Sequence, residues 1–413
     1  MKQTLTAGDR PAQTEPARVR AGSPTAFLAL VPYLLGFMPQ SSLVVVGTEP
    51  PDGTVKVTLR YDLPDPADPG QAAEIAGHAL AVIGSQHLTA VLAVGYGPEP
   101  LVQPLAQAFR DAIADAAAGG PGQSSTELEL IDFLRVTDGR YWSYTCTNQA
   151  CCPPDGTPFD VADRAEAAVM AGAGRQVLAD RGELAASIAP LGGVAAESMR
   201  QATRRAERHL TQLLGRVGKS ARLGAARQLI AAEGLVAVAD LIAAYRAGGK
   251  YASDYQVAWL TVALKDIRVR DDAWARMDPR YPQAHLRLWT DVVRRAQPGH
   301  VAAPASLLAF VAWQAGNGAL ANVALDRALA NDGGYSMALL LRQVISAGAP
   351  PSMARLPMTP EEVAACYELA DDTDLDEYDD DSDDFEEEFD DFDDDDDYPD
   401  DGDRCPCGTS PGG

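Results

Sequence analysis

From Phe27 to Gly47 the chain reads FLALVPYLLGFMPQSSLVVVG, without one charged side chain. A run of that length must either cross a membrane or be enclosed by protein, so it constrains the fold more than any other segment. A spanning helix needs roughly 20 unbroken apolar residues. Here Pro32, Gly36, Pro39 and the polar Gln40-Ser41-Ser42 cut the run, and only residues 27–38 read as continuously apolar. A secretory signal fits poorly too, because Lys2, Arg10, Arg18 and Arg20 are scattered ahead of the run and no small-residue cleavage site follows it. The run therefore predicts enclosure. Ser23 is placed to cap a helix with Pro24 in its first turn, residues 27–35 form a short buried helix, and residues 43–46 form a central strand. No other segment reads as a span, and the uneven placement of the six cysteines fits a reducing cytoplasm better than secretion.

The pattern around that core changes once along the chain. Residues 25–160 alternate strand and helix signals: a strand over 55–61 after the hairpin connection Pro50-Pro51-Asp52-Gly53, a helix over 71–83, a strand over 90–94, a turn at Gly95-Tyr96-Gly97-Pro98, a helix over 101–118, and strands over 127–136 and 141–145. The order β-β-α-β-α-β-β predicts an α/β domain with a mixed sheet. From 161 to 350 strand signals nearly vanish, and Ala-, Leu- and Arg-rich helical spacing predicts an all-α domain. Its clearest unit, residues 305–342, is a tetratricopeptide-like hairpin turning at Gly316-Asn317-Gly318, with Ala321, Leu325 and Ala328 at packing positions. Residues 1–24 read as a flexible N-terminal tail and 351–413 as a disordered acidic tail ending in Cys-Pro-Cys.

Charge is concentrated in that last region. Residues 371–403 hold 23 acidic side chains, while the body through Ala370 has 36 acids against 33 bases. Such a block repels itself too strongly to order. Tyr378, Phe385, Phe389, Phe392 and Tyr398 punctuate it, the composition of an interaction segment in which acid steers toward a basic partner and rings bury on contact. A plain solubilising tail is the alternative. A basic stripe on one helix face, Arg200, Arg204 and Arg208 with Arg205 beside them and Arg216, Lys219 and Arg222 following, could receive the tail or contact phosphates, or be ordinary solvated surface.

Four blocks of sequence stand out together: P-Y-L-L-G-F-x-P-x-x-S-L at residues 32–43, L-R-Y-D-L-P at 59–64, C-C-P-x-x-G-T-P at 151–158 and W-Q-x-G-N-G-A-L-A at 313–321. Over residues 25–346 the chain resembles an actinobacterial family described as domain of unknown function 4192. The resemblance implies a shared fold and a bacterial cytoplasmic setting, and it transfers no activity and no catalytic residue.

Chemistry has to come from the residues. Ser42, at the end of a Gly- and Pro-containing loop, offers a hydroxyl but no G-x-S-x-G elbow. Arg60 and Asp62 alternate on one strand face, as an ion pair or an anion clamp. Gly95 and Gly97 follow a strand and precede a helix, where α/β folds bind ligands, without G-x-G-x-x-G spacing or a Walker lysine. His78, His87, His209, His285 and His300 form no metal-binding pair. Cys146, Cys151 and Cys152, in C-x4-C-C, could offer thiolates to zinc, and Cys405 and Cys407 resemble the opening of a zinc-binding tail motif; zinc, a redox pair and plain free thiols stay open. No cofactor is predicted outright. The reading is a non-enzymatic regulatory or adaptor protein whose acidic tail engages a basic protein or the chain's own basic helix, with nucleic acid bound only when the tail is displaced and no membrane partner. The alternative is an enzyme acting on a small phosphorylated or acyl substrate at Ser42, Arg60, Asp62, Gly95 and Gly97. Oligomeric state is not legible.

Overall fold

The charge-free run ends in β1 (Ser42–Glu49), whose residues through Thr48 are all buried. Successive side chains of a strand point to opposite faces, and here both faces meet a core. Leu43 and Val45 pack with Ala76, Ile83, Leu105 and Phe109, whereas Val44 and Val46 pack with Phe27, Leu28 and Val31. A strand buried on both sides has no reason to alternate polar and apolar residues, which accounts for Leu-Val-Val-Val.

The computed structural model describes residues 19, 21–49, 53–68, 70–118, 128–160, 165–172, 176–216, 223–248, 252–353 and 359–373. The turn residues Pro50-Pro51-Asp52, most of both predicted tails, and Cys405 and Cys407 lie outside them. Around β1 runs a mixed sheet in the order β2-β1-β3-β4-β5-β6, formed by β2 (Thr54–Asp62), β3 (Ala90–Tyr96), β4 (Glu129–Thr137), β5 (Arg140–Ser143) and β6 (Thr157–Pro158). β3 and β4 are parallel and every other neighbouring pair is antiparallel. The α/β order and mixed sheet match the sequence expectation; β6 is additional.

α1 (Pro24–Leu35) starts where Ser23 Oγ accepts the Ala26 N–H at 3.2 Å and ends at Gly36, whose φ of 82° few other residues tolerate. α2 (Gln71–Ser85) and α3 (Glu99–Ala118) cover the face of Leu43 and Val45. The opposite face carries α1 and the helical region: α4 (Ala165–Gly172), α5 (Arg181–Ser187), α6 (Gly193–Arg216), α7 (Leu223–Arg246), α8 (Asp254–Ala263), α9 (Ile267–Ala275), α10 (Pro282–Arg295), α11 (Ala302–Gln314), α12 (Gly318–Asn331) and α13 (Ser336–Ser346). The hairpin of α11 and α12 turns at the expected glycines, with Asn317 Oδ1 accepting the Leu320 N–H at 3.0 Å, and Ala321, Leu325 and Ala328 fully buried. The described residues through Tyr367 make one compact unit, and the sheet and the helices share a continuous core.

Two expectations need correction. The span predicted as acidic tail contains α14 (Pro360–Thr373), begun by a capping box: Thr359 Oγ1 accepts the Glu362 N–H at 3.2 Å and Glu362 Oε2 accepts the Thr359 N–H at 2.7 Å. Val363 is buried and the Tyr367 hydroxyl donates to Asp271 at 2.7 Å. Second, one further segment is long and apolar enough to cross a membrane by length and composition, Gln228–Arg246 in α7. It packs on α8, α9 and α10 through Val238, Leu241, Ile242 and Tyr245, with Glu233 paired to His209 at 2.7 Å.

Two glycines give opposite predictions. A Cβ on Gly95 would fall 2.4 Å from Val102 Cγ1, so Gly95→Ala should lower stability by about 1–3 kcal/mol through overpacking. A Cβ on Gly77, exposed within α2, would meet nothing within 4 Å, and Gly77→Ala should raise stability by up to about 1 kcal/mol. Denaturant midpoints at unchanged slope would check both. Buried His285, whose Nε2 accepts the Asp278 N–H at 3.1 Å, is pushed down to about 4 by burial. Its folded value lies below its unfolded one, so the stability it contributes is complete above about pH 6.5 and is lost as pH falls toward 4. Between pH 7 and pH 5 the native protein should lose about 1–2 kcal/mol more than a His285→Gln variant.

Candidate functional site

The residues proposed as an α/β pocket come together at one end of the sheet. Ser42 pairs with Asp62 on β2 and with Tyr96 on β3, and Leu43 pairs with Gly95. Ser42 is fully buried; its hydroxyl donates to the Gln40 carbonyl at 2.6 Å and accepts from Arg60 Nε at 3.0 Å. Arg60 Nη2 reaches Asp62 at 2.6 Å, with the Asp62 side chain 84% exposed. The two glycines are positions of close approach. β3 runs on through Tyr96, because Gly95 and Tyr96 stay paired with β4, so Gly95 is a strand residue rather than a turn residue. Val102 fills the space over Gly95 and Leu63 the space over Gly97. The Ser42 hydroxyl and the Arg60 groups that reach it and Asp62 are engaged with one another in one hydrogen-bonded chain.

On α6 the four stripe arginines Arg200, Arg204, Arg205 and Arg208 are exposed, but not uniformly free. Arg200 pairs with Glu197 one turn earlier, holding that carboxyl below its ordinary range, and the Arg205 guanidinium lies 4.6 Å from the centroid of the Tyr255 ring. Glu207 shares the helix and reaches His300 at 3.1 Å. Arg216 closes α6; Lys219 and Arg222 lie outside the described residues.

The thiols make the most concentrated group. Cys146, Cys151 and Cys152 sit on the connection between β5 and β6, and their Sγ atoms all lie within 4.8 Å of one another. Local hydrogen bonding explains how adjacent cysteines come to face a third. The Asn148 carbonyl accepts both the Cys151 N–H at 3.0 Å and the Cys152 N–H at 2.8 Å, so the chain doubles back at Asn148. Ser143 Oγ accepts the Cys146 N–H at 3.0 Å and donates to Asp132 on β4 at 2.6 Å, where the Thr145 hydroxyl also donates, at 2.5 Å. The far side of the loop is fixed by Trp142, whose Nε1 donates to the Pro154 carbonyl at 2.9 Å and whose ring stacks under Arg135 at 3.7 Å. Gly156, at φ 75°, passes so close that a Cβ would sit 2.4 Å from that ring.

Electrostatics divide the three sulfurs. Cys146 is pulled below the ordinary thiol value, chiefly by a hydrogen bond from Cys152. Cys152 is pushed up to about 12 by burial and by that same neighbour. Of the two, Cys146 is the more readily ionised and Cys152 the less, and a thiolate rather than a thiol is the nucleophile and metal ligand. Zinc takes thiolates at about 2.3 Å in a tetrahedron, which sets sulfurs about 3.8 Å apart.

The residues that sequence reasoning missed are Arg294 and Arg327, which converge with Arg200 on one cavity. They stand on three helices distant in sequence, and only tertiary packing unites them. No curated protein and no solved structure matches this chain. A family match extends over residues 24–352, from the N-terminus of α1 to just beyond α13, and by that match the chain belongs to the DUF4192 domain of unknown function family.

Proposed function

We propose that this protein is a non-catalytic regulatory protein of the reducing cytoplasm, with a zinc site at Cys146, Cys151 and Cys152 and an acidic, aromatic-punctuated tail that engages basic partners. The observation that carries the metal reading is the convergence of three Sγ atoms within 4.8 Å on a loop fixed at both ends by buried or stacked side chains. Preorganised thiols lose little entropy on binding, and zinc favours sulfur over the oxygen ligands nearby. The bound metal would draw the proton from Cys152, since a coordinating thiol is deprotonated outright. The enzyme reading has weaker support. The Ser42 hydroxyl is engaged on both sides by Gln40 and Arg60, and the ground above Gly95 and Gly97 is filled.

Cobalt(II) titration of the full chain, read by sulfur-to-metal charge transfer and displaced by zinc, tests the site. Binding should persist when Cys405 and Cys407 are changed to serine and should fall at least tenfold in Cys151→Ser. Affinity should rise with pH through the neutral range, because binding releases protons from thiols, Cys152 above all. Cobalt bound equally by Cys151→Ser and the unaltered loop would end the proposal. For the tail, anisotropy of a generic nucleic acid should show salt-sensitive binding by a chain ending at Ala370 and none by the full chain. If neither form binds, the arginines of α6 are ordinary surface.

A further inference from the structure

Where the first turns of α6, the last turn of α10, the connection to α11 and the last turn of α12 meet, a cavity of about 350 Å³ is lined by Arg200, Arg294, Arg295 and Arg327 and by no carboxylate among the described residues. Two of these four charges are answered. Arg200 pairs with Glu197, and Arg295 is held by Asp254 at 2.6 Å, Asp291 at 2.9 Å and the Ala252 carbonyl at 2.8 Å. The other two are not. Arg327 donates one N–H, from Nη2 to the Val293 carbonyl at 2.8 Å, closing the C-terminus of α10, while its Nη1 is buried with no partner among the described residues. Arg294 is exposed and has no ion pair among the described residues. Burial and the nearby Arg294 together pull Arg327 down to about 10. Two like charges lining one cavity without a carboxylate partner among the described residues, one of them with a buried N–H unspent, leave a cost that an anion would offset.

We infer that this cavity binds a small organic phosphate, its negative charge answered by Arg294 and Arg327, the two lining arginines that no carboxylate pairs among the described residues. The planar fork of arginine matches phosphate oxygens two at a time. Leu191, Met199 and Val301 line the same cavity and supply apolar surface for the remainder of the molecule. The volume lies at the small end of the range for ligand pockets, roughly 300–1,000 Å³, which suits a monophosphate and not a polymer. The cavity is remote in sequence from the thiol loop, and this inference does not depend on the zinc reading.

Phenyl phosphate is a suitable probe, measured by calorimetry on the full chain at fixed ionic strength, with benzoate and sulfate as comparators. Phenyl phosphate should bind more tightly than either, and Arg294→Ala should weaken it about tenfold or more, the effect of deleting a charge-assisted hydrogen bond. Because Arg294 is exposed and makes no ion pair among the described residues, that variant should fold, as an unchanged unfolding midpoint would confirm. Arg208→Ala, on the far stretch of α6, should leave binding unchanged. Equal affinities for the native chain and Arg294→Ala, or no heat with phenyl phosphate beyond that of sulfate, would overturn the inference.

Discussion

Two-sided burial of β1 is the constraint on which the rest of the structure depends. Leu43, Val44, Val45 and Val46 are fully enclosed, each contributing roughly 1.5–3 kcal/mol of transfer free energy. That contribution requires a cover on both faces. α2 and α3 supply one, α1 and the helical region the other. The N-terminal sheet therefore cannot be finished without the helices, and the helical layer has its anchor in Val44 and Val46. Further ties run the same way. In the loop after α1, the Met38 N–H donates to the Leu178 carbonyl and the Leu178 N–H to the Gly36 carbonyl, and Gln86 at the end of α2 donates to the Gly348 carbonyl just beyond α13.

What the sequence made legible was local. Ser23, Pro24 and Gly36 framed α1 because caps act within one turn, and the unbroken Leu-Val-Val-Val announced a central strand because burial on both faces erases alternation. β6 carried no such signal, since two residues, one of them Pro158, make no pattern. The Thr359–Glu362 box was present in the sequence and hidden by the acidic composition that follows it. The extent of β3 was misjudged for another reason. Gly95 looks like a turn residue until Val102 is seen to require its missing side chain.

The candidate sites divide along the same line. C-x4-C-C was readable because a short loop obliges its cysteines to be neighbours, although only the Asn148 carbonyl explains how Cys151 and Cys152 face the same way. Strand register places Ser42, Arg60 and Asp62 near one another, yet proximity did not say that each would satisfy the next. The arginine cavity lay beyond reach. Arg200, Arg294 and Arg327 belong to separate helices, and neither their meeting nor the lack of a carboxylate among the residues lining it follows from any spacing along the chain.

The edges of the sheet give the Arg60–Asp62 pair a different significance. β2 is an outermost strand, and an outermost strand offers unpaired backbone groups to any other extended chain. Lys56, paired with Glu49 at 2.8 Å, and then Arg60 and Asp62 set charge along its length, where a second strand would have to strip their water. At the opposite edge β6 is two residues long and ends in Pro158, which has no N–H to give. Both outermost strands thus carry features that disfavour sheet extension. The apolar, β-branched Leu-Val-Val-Val of β1, the kind of segment that templates aggregation when exposed, lies inside the sheet between β2 and β3, behind a charged edge.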